Sequence, residues 1–77
     1  MVERVIVTLT CDDSFYDIEL PANIQVFQLK PLMAAAMLKK GIRLADGFHL
    51  KYKGTLLNDT DTLFEAGVWD GSYLLVV

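Results

Sequence analysis

The sequence predicts an α+β fold in which one helix packs across a mixed sheet of four to five strands. Apolar and polar residues alternate with a period of two before and after one central stretch of helical periodicity. The first and last strand-like segments, Arg4–Thr10 and Ser72–Val77, are the most apolar. Such segments are typical of strands buried on both faces, so we expect them to be adjacent parallel strands at the sheet centre. One helix then covers one face.

The first two strands are predicted to form an antiparallel hairpin. Arg4–Thr10 alternates in character, Cys11–Ser14 is a polar break suited to a turn, and Phe15–Leu20 alternates again. Pro21 should end the second strand, because proline cannot donate a hydrogen bond to a strand ladder.

The periodicity changes to that of a helix over Ile24–Lys40. Gly41 is the expected C-terminal cap. Pro31 lacks an N–H and clashes with the preceding turn, so either the helix begins close to it or the first turn is distorted there. The apolar residues predicted on the inner helix face are Val26, Leu29, Met33, Ala36 and Met37.

The second half of the chain is predicted to supply the remaining strands. His49–Lys53 alternates, and Thr55–Leu57 is long enough only for a short strand. Leu63–Val68 is either one helical turn or an irregular loop, and Asp70–Gly71 is a tight-turn signal before the last strand. The predicted core consists of Val5, Val7, Ile18, Leu20, Val26, Leu29, Met33, Leu50, Leu57, Leu63, Val68, Leu74 and Val76.

Length and composition limit the classes of protein that this chain can represent. Its 77 residues allow one small domain, residues 1–77, and 53% hydrophobic residues can supply a core. The net charge of −3 argues against nucleic acid as the main partner. No apolar run approaches the roughly 20 residues that span a bilayer, and no signal peptide is visible. With Cys11 as its single cysteine, the chain has no internal disulfide, and we expect a cytoplasmic location without direct membrane insertion.

The residues offer little support for an enzyme. His49 is the single histidine, and Cys11 is followed by Asp12 and Asp13, which do not favour a thiolate. The acidic pairs Asp12–Asp13 and Asp59/Asp61 lack the spacing of a calcium-binding loop and fit turn capping instead. We therefore expect no catalytic residues, no metal and no cofactor.

The order and spacing of these elements resemble ubiquitin over nearly the full chain, which implies a ubiquitin-like β-grasp fold. The residues that carry the resemblance most closely are Leu50–Gly54, Leu57, Asp61–Leu63, Gly67–Val68 and Ser72–Val77. Two departures stand out. The sequence ends at Val77 without the paired glycine of conjugated modifiers and sulfur carriers. Lys51 stands where ubiquitin has the isoleucine at the centre of its binding patch.

A small ubiquitin-like protein without this tail is similar to the YukD/EsaB family of bacterial type VII (WXG100, ESAT-6-like) secretion systems. This resemblance implies a non-catalytic accessory or regulator of a membrane-embedded secretion machine, with protein partners among its components. The alternative is a ubiquitin-like interaction domain of a eukaryotic regulatory protein.

Alternation also predicts a candidate protein-binding surface. If Leu50, Leu74 and Val76 face the helix, their neighbours in sequence must face the other way. The residues predicted on this outward sheet face are His49, Lys51, Tyr73, Leu75 and Val77. The alternative is an ordinary exposed sheet face.

A second candidate surface lies on the outer helix face, where a surface helix normally carries charge. Phe27, Ala34, Ala35 and Leu38 fall there, and part of this apolar surface is expected to pack against Ile42–Phe48. The remainder, Phe27 and Leu38, is a candidate site for a partner or for self-association.

The missing glycine pair predicts that the chain is not conjugated. Incubation with an E1-type adenylating enzyme and ATP should give neither an adenylate nor a thioester, because the strand-like ending at Val77 offers no tail to activate. Mass spectrometry that detected an isopeptide-linked adduct through the Val77 carboxylate would contradict this expectation.

Overall fold

A computed structural model describes residues 3–77 as one helix packed on a five-stranded mixed sheet. The sheet order is β2-β1-β5-β3-β4. β1 and β5 are adjacent and parallel at its centre, as predicted, with Thr8 opposite Tyr73 and Thr10 opposite Leu75. The elements are β1 (Arg4–Cys11), β2 (Ser14–Pro21), α1 (Val26–Lys39), β3 (Leu50–Tyr52), β4 (Thr55–Leu56) and β5 (Tyr73–Val76).

The hairpin turn is tighter than the polar break in the sequence suggested. Cys11 and Ser14 still pair across the strands, so the turn consists of Asp12 and Asp13 alone. Their φ angles are 50° and 65°. Two successive residues of positive φ are characteristic of a type I′ turn, whose twist matches that of the strands it joins, and aspartate tolerates this conformation.

A distant loop caps the N-terminus of α1. The Val26 N–H donates to the Asp61 carbonyl (2.8 Å) and the Phe27 N–H donates to the Asp59 carbonyl (3.1 Å). The side chain of Gln25, at the N-cap position, makes no capping hydrogen bond. Tertiary contacts therefore satisfy amides that a local side chain usually satisfies.

α1 is capped at Gly41, the residue that the sequence predicted as its C-terminal cap, and the cap has the form of a Schellman motif. Gly41 has φ 81°. Its N–H donates to the Leu38 carbonyl (2.9 Å), and the Ile42 N–H donates to the Met37 carbonyl (3.0 Å). Glycine adopts this left-handed conformation without a steric penalty.

Pro31 lies inside α1, although the sequence analysis expected the helix to begin near it or to be distorted there. The helix starts at Val26, because its first amides are fixed by the 59–61 loop. Pro31 cannot donate to the Phe27 carbonyl one turn earlier. Both residues are exposed, so water can reach this carbonyl and the penalty of the missing bond is reduced.

The core lies between the inner face of α1 and one face of the sheet. Eleven of the thirteen predicted core residues are buried. Leu57 and Val76 are only half-buried, contrary to prediction, because Leu57 follows the edge strand β4 and Val76 ends β5, so neither is enclosed on all sides. Residues buried beyond the predicted set are Leu9, Pro21, Ala22, Met37, Leu44 and Phe48.

The substitution Leu50→Ala tests this core. Leu50 is fully buried, so its loss should lower the free energy of unfolding by about 2–5 kcal/mol through lost burial and a residual cavity. Leu56→Ala, on the neighbouring strand, is the matched control, because Leu56 is half exposed and should cost less than about 1 kcal/mol. Chemical denaturation measures both values. A change below about 1 kcal/mol for Leu50→Ala would show that Leu50 is not a core residue.

A second prediction concerns the ion pair between α1 and the loop that caps it. The Lys30 Nζ lies 2.8 Å from Asp59 Oδ1. Hydrogen bonding and charge attraction from Lys30 lower the pKa of the Asp59 carboxyl. Its contribution to stability is therefore present at neutral pH and lost as the pH falls through this lowered pKa.

An NMR titration of the carboxyl carbons should find the Asp59 pKa below its ordinary value in the unmodified chain. Lys30→Met should raise the Asp59 pKa toward that value and flatten the acid side of the stability curve. An Asp59 pKa that is the same in both proteins would contradict the assignment of this shift to Lys30.

Candidate protein-binding surface

The outward sheet face brings all five predicted surface residues together. Lys51 lies opposite Leu75 in the antiparallel β3–β5 pair. Beyond the strand ends, His49 and Val77 exchange two backbone hydrogen bonds of 2.9 Å. Tyr73 precedes buried Leu74 on β5, and alternation therefore directs its ring to this face.

The apolar members of this set are accessible. Tyr73 is 63% exposed, Leu75 42% and Val77 50%. Lys51 is half-buried among its strand neighbours, and His49 is exposed. The face thus presents aliphatic and aromatic side chains around one partly shielded ammonium group.

Three further apolar residues extend this face, and the sequence analysis did not assign them to it. Phe15 on β2 is 65% exposed, Ile6 on β1 is 51% exposed and Leu56 on β4 is 50% exposed. Thr10 lies opposite Phe15, and Lys51 lies opposite Leu56. Alternation could have placed Phe15 outward, but the strand order was needed to bring it next to β5. We call the whole set, Ile6, Phe15, His49, Lys51, Leu56, Tyr73, Leu75 and Val77, the outer sheet surface.

An aromatic pair joins the two sides of the outer sheet surface. The rings of Phe15 and Tyr73 have centroids 6.2 Å apart and an interplanar angle of 86°. This edge-to-face arrangement is a favoured geometry for aromatic side chains. The pair reaches over β1, which lies between β2 and β5, so the apolar surface is continuous across the middle of the sheet.

Polar pairs border this apolar region on the β1–β2 side. The Thr8 hydroxyl donates to Asp17 Oδ1 at 2.8 Å. The Arg4 guanidinium donates to Glu19 Oε1 at 2.6 Å. An apolar centre with a polar rim is the usual anatomy of a protein–protein interface.

The second candidate surface, on the outer face of α1, is interrupted by the connection between α1 and β3. Leu44 of that connection is buried and lines grooves together with half-buried Ala34, as the sequence analysis expected. Phe27 and Leu38 remain 50% and 62% exposed, and Leu32, which the sequence analysis did not single out, is 50% exposed. Because covered surface separates these side chains, they form a smaller and less continuous site than the outer sheet surface does.

A further aromatic pair lies in the segment between β4 and β5. Phe64 and Trp69 are 54% and 59% exposed, and their ring centroids are 5.9 Å apart. Backbone hydrogen bonds fix both ends of this segment. The Phe64 N–H donates to the Ala22 carbonyl (3.0 Å), and the Gly71 N–H donates to the Ile6 carbonyl (2.8 Å). No pattern in the sequence marked these rings as a cluster.

The free cysteine of the described chain is Cys11, which is half-buried. Burial and the neighbouring Asp12 carboxylate raise the pKa of the Cys11 thiol, which disfavours the nucleophilic thiolate. Within residues 3–77, no three His, Cys, Asp or Glu side chains are grouped in a way that could hold a metal ion. The same part of the chain contains no helix with the length and hydropathy needed to cross a bilayer.

Comparison with known proteins identifies the family of the chain. Residues 4–76 match the family described as "WXG100 protein secretion system (Wss), protein YukD". No curated protein matches the chain.

Solved structures share the fold. The ubiquitin-like domain of the Mycobacterium tuberculosis type VII secretion system protein EccD1 is 22% identical, with a TM-score of 0.79, covering 97% of this chain and 98% of that one. The EccD5 ubiquitin-like domain from Mycobacterium xenopi is 21% identical, with a TM-score of 0.76 and coverage of 97% and 93%. Caldiarchaeum subterraneum ubiquitin is 28% identical, with a TM-score of 0.70 and coverage of 96% and 91%.

The family match spans nearly the whole described chain, and the sheet order and single helix are those of a ubiquitin-like β-grasp fold. The chain therefore belongs to the YukD family of the WXG100 protein secretion system and is a ubiquitin-like domain associated with type VII secretion.

Proposed function

We propose that residues 1–77 act as a single non-catalytic protein-binding domain, a cytoplasmic accessory or regulator of a type VII secretion system. Its partner is a protein component of the secretion machine, which docks on the outer sheet surface. The observation that carries this proposal is the continuity of exposed apolar side chains from Phe15 across the sheet to Leu75 and Val77.

The expected energetics of docking follow from the exposed area. Complete burial of a Leu or Phe side chain contributes about 1.5–3 kcal/mol before the costs of association are subtracted, so covering the exposed part of Leu75 or Phe15 contributes less than this. Interfaces usually depend on a few such anchors, and aromatic residues are enriched among them. Phe15 and Tyr73 are the natural anchors, because each is more than 60% exposed and the two rings already support each other.

Lys51 sets a chemical requirement for the partner. An ammonium group removed from water without a partner is unfavourable, so a docked protein must offer Lys51 a carboxylate or several hydrogen-bond acceptors. Ubiquitin-like proteins that present an apolar side chain at this position would not impose the same requirement. Lys51 is thus the residue by which this surface would discriminate among partners.

The eukaryotic alternative receives no comparable support, because the family match connects the chain to WXG100 secretion. The outer face of α1 remains the rival docking surface, through Phe27 and Leu38, for a partner or a second copy of the chain. A direct comparison of the two surfaces decides between them.

The pair of variants Leu75→Glu and Leu38→Glu makes that comparison. Both positions are exposed, so both proteins should stay folded by circular dichroism. Leu75→Glu should abolish secretion of a WXG100 protein in cells that depend on this chain, since it introduces a carboxylate into the apolar centre of the outer sheet surface. Leu38→Glu should leave secretion unchanged.

The reverse outcome would show that the helix is the working surface. If secretion persists with Leu75→Glu and fails with Leu38→Glu, the assignment of the outer sheet surface is wrong. Lys51→Glu adds a test of the charge requirement, because reversing this charge should also impair secretion while the fold is retained.

A further inference from the structure

The directions in which the backbone N–H and C=O groups of β1 point determine which backbone groups of β2 are left unpaired. The Thr8 N–H donates to the Ser72 carbonyl, and the Gly71 N–H donates to the Ile6 carbonyl, both at 2.8 Å. The even-numbered residues of β1 therefore direct their backbone groups toward β5. The odd-numbered residues direct theirs toward β2.

The outer edge of β2 consequently presents unpaired hydrogen-bonding groups. Val7 lies opposite Ile18, so the backbone N–H and C=O groups of the even-numbered residues of β2 point toward β1. The N–H and C=O groups of Phe15, Asp17 and Glu19 point away from it. Within residues 3–77 no strand lies beyond β2, which is the outermost strand on its side of the sheet. An edge of this length is a ready template for another extended chain.

A groove of about 670 Å³ lies between the end of β2 and α1. Leu20 and Pro21 line it from β2, together with the ion pair of Arg4 and Glu19. Leu32, Ala35 and Ala36 line it from the helix. The alanines leave room between the two elements, and Leu32 is half exposed to the groove mouth. Pro21, the last residue of β2, has no N–H, so the edge has no unpaired backbone donor at this position.

Positive charge is concentrated at the helix end of this groove. Lys39 and Lys40 both line it. The ion pairs within residues 3–77 are Arg4–Glu19 and Lys30–Asp59, so neither of these lysines is engaged. The groove therefore combines an apolar wall with a site that complements a carboxylate.

We propose that the edge of β2 and this groove bind an extended peptide segment of a partner protein by strand addition. The segment carries aliphatic residues at alternate positions, which enter the groove beside Leu32, and acidic residues at the end that reaches Lys39 and Lys40. Backbone hydrogen bonds to Asp17 and Glu19 hold the added strand. In this mode of recognition, the main-chain bonds supply affinity and the alternate side chains supply specificity.

The carboxylates on β2 disfavour pairing of this edge with a second copy of the chain, which is the other obvious occupant. Antiparallel pairing of two β2 strands about their middle places Asp17 or Glu19 opposite a carboxylate of the other copy, which is destabilising. Within one chain both carboxylates are held on the outer sheet face, Asp17 by the Thr8 hydroxyl and Glu19 by Arg4. Asp17 therefore does not project across the edge that a peptide would use. Glu19 also lines the groove, where Arg4 compensates its charge.

A synthetic ten-residue peptide tests the proposal. It has Val and Thr at alternating positions and two Asp at one end, and it is made with the Asp pair at either terminus because the strand direction is open. Titration into the ¹⁵N-labelled full chain should give saturable shifts of the Phe15, Asp17 and Glu19 amides and slow their hydrogen exchange, for one of the two peptides. N-methylation of the peptide backbone at the alternate positions whose N–H groups face β2 should abolish binding. N-methylation at the intervening positions should not.

Charge exchange supplies the matched control. The double variant Lys39→Glu/Lys40→Glu should weaken binding of the acidic peptide roughly tenfold, and it should bind a peptide with two Lys in place of the two Asp more tightly than the unmodified chain does. Lys53→Glu reverses a charge at an exposed position after β3, outside both the groove and the outer sheet surface, and should leave the affinity for the acidic peptide unchanged.

Three results would overturn the proposal. They are the absence of saturable binding, shifts centred on β3 and β5 instead of β2, and dimerisation of the chain through β2 in sedimentation experiments. The first would mean that the charged residues of β2 only protect the edge from unwanted pairing. The assignment of the outer sheet surface as a docking site would not be overturned by any of these results, because the Leu75→Glu comparison tests it separately.

Discussion

The insertion of β5 between β1 and β3 is the contact on which the rest of the fold depends. The β1–β2 hairpin and the β3–β4 pair lie on opposite sides of β5 in the sheet order. Without β5, no strand of the described chain would connect these two halves. Leu74, fully buried, lies opposite Leu9 across the parallel β1–β5 pair. This pairing joins residues from opposite ends of the sequence, so burial of apolar side chains must offset a large loss of chain entropy.

The same insertion builds the outer sheet surface. Because side chains alternate along a strand, burial of Leu74 under the helix forces Tyr73 and Leu75 to the opposite face. The parallel register then places Tyr73 beside Thr8 and Leu75 beside Thr10, while Thr10 lies opposite Phe15 on β2. A packing requirement of the core thus fixes which apolar side chains are presented to a partner.

The loops contribute more to the helix than their sequences suggest. Carbonyls of Asp59 and Asp61 accept hydrogen bonds from the first amides of α1, and the Asp59 carboxylate pairs with Lys30. The reciprocal bonds of Thr62 and Glu65, at 3.1 and 3.0 Å, hold the turn that follows. This arrangement has the form of a capping box, although no regular helix follows it. The segment before β5 is therefore ordered by its own bonds and also determines where α1 begins.

Much of the architecture is determined by residues that are close together in the sequence. Alternation in Arg4–Thr10 and Ser72–Val77 predicted the central strands, and helical periodicity with Gly41 predicted the end of α1. The inward or outward direction of Leu50, Leu74 and Leu75 also follows from alternation alone, so the five residues first assigned to the outer sheet surface do lie on one face. Each of these features depends on residues that are close in sequence, whose spacing fixes the side of a strand or helix that they occupy.

Other features depend on contacts between distant segments, and only the tertiary structure decided them. The start of α1 is set by carbonyls more than thirty residues away, which is why Pro31 could not mark it. The apolar outer face of the helix predicted that the connection after α1 packs against it, but no periodicity in that connection indicated that Leu44 and Phe48 are its buried residues. Phe15 meets Tyr73 because β1 lies between their strands, a neighbour relation that arises from the order of strands in the sheet. The sequence by itself determined the faces of the elements, and the pairing of distant strands determined which of those faces adjoin.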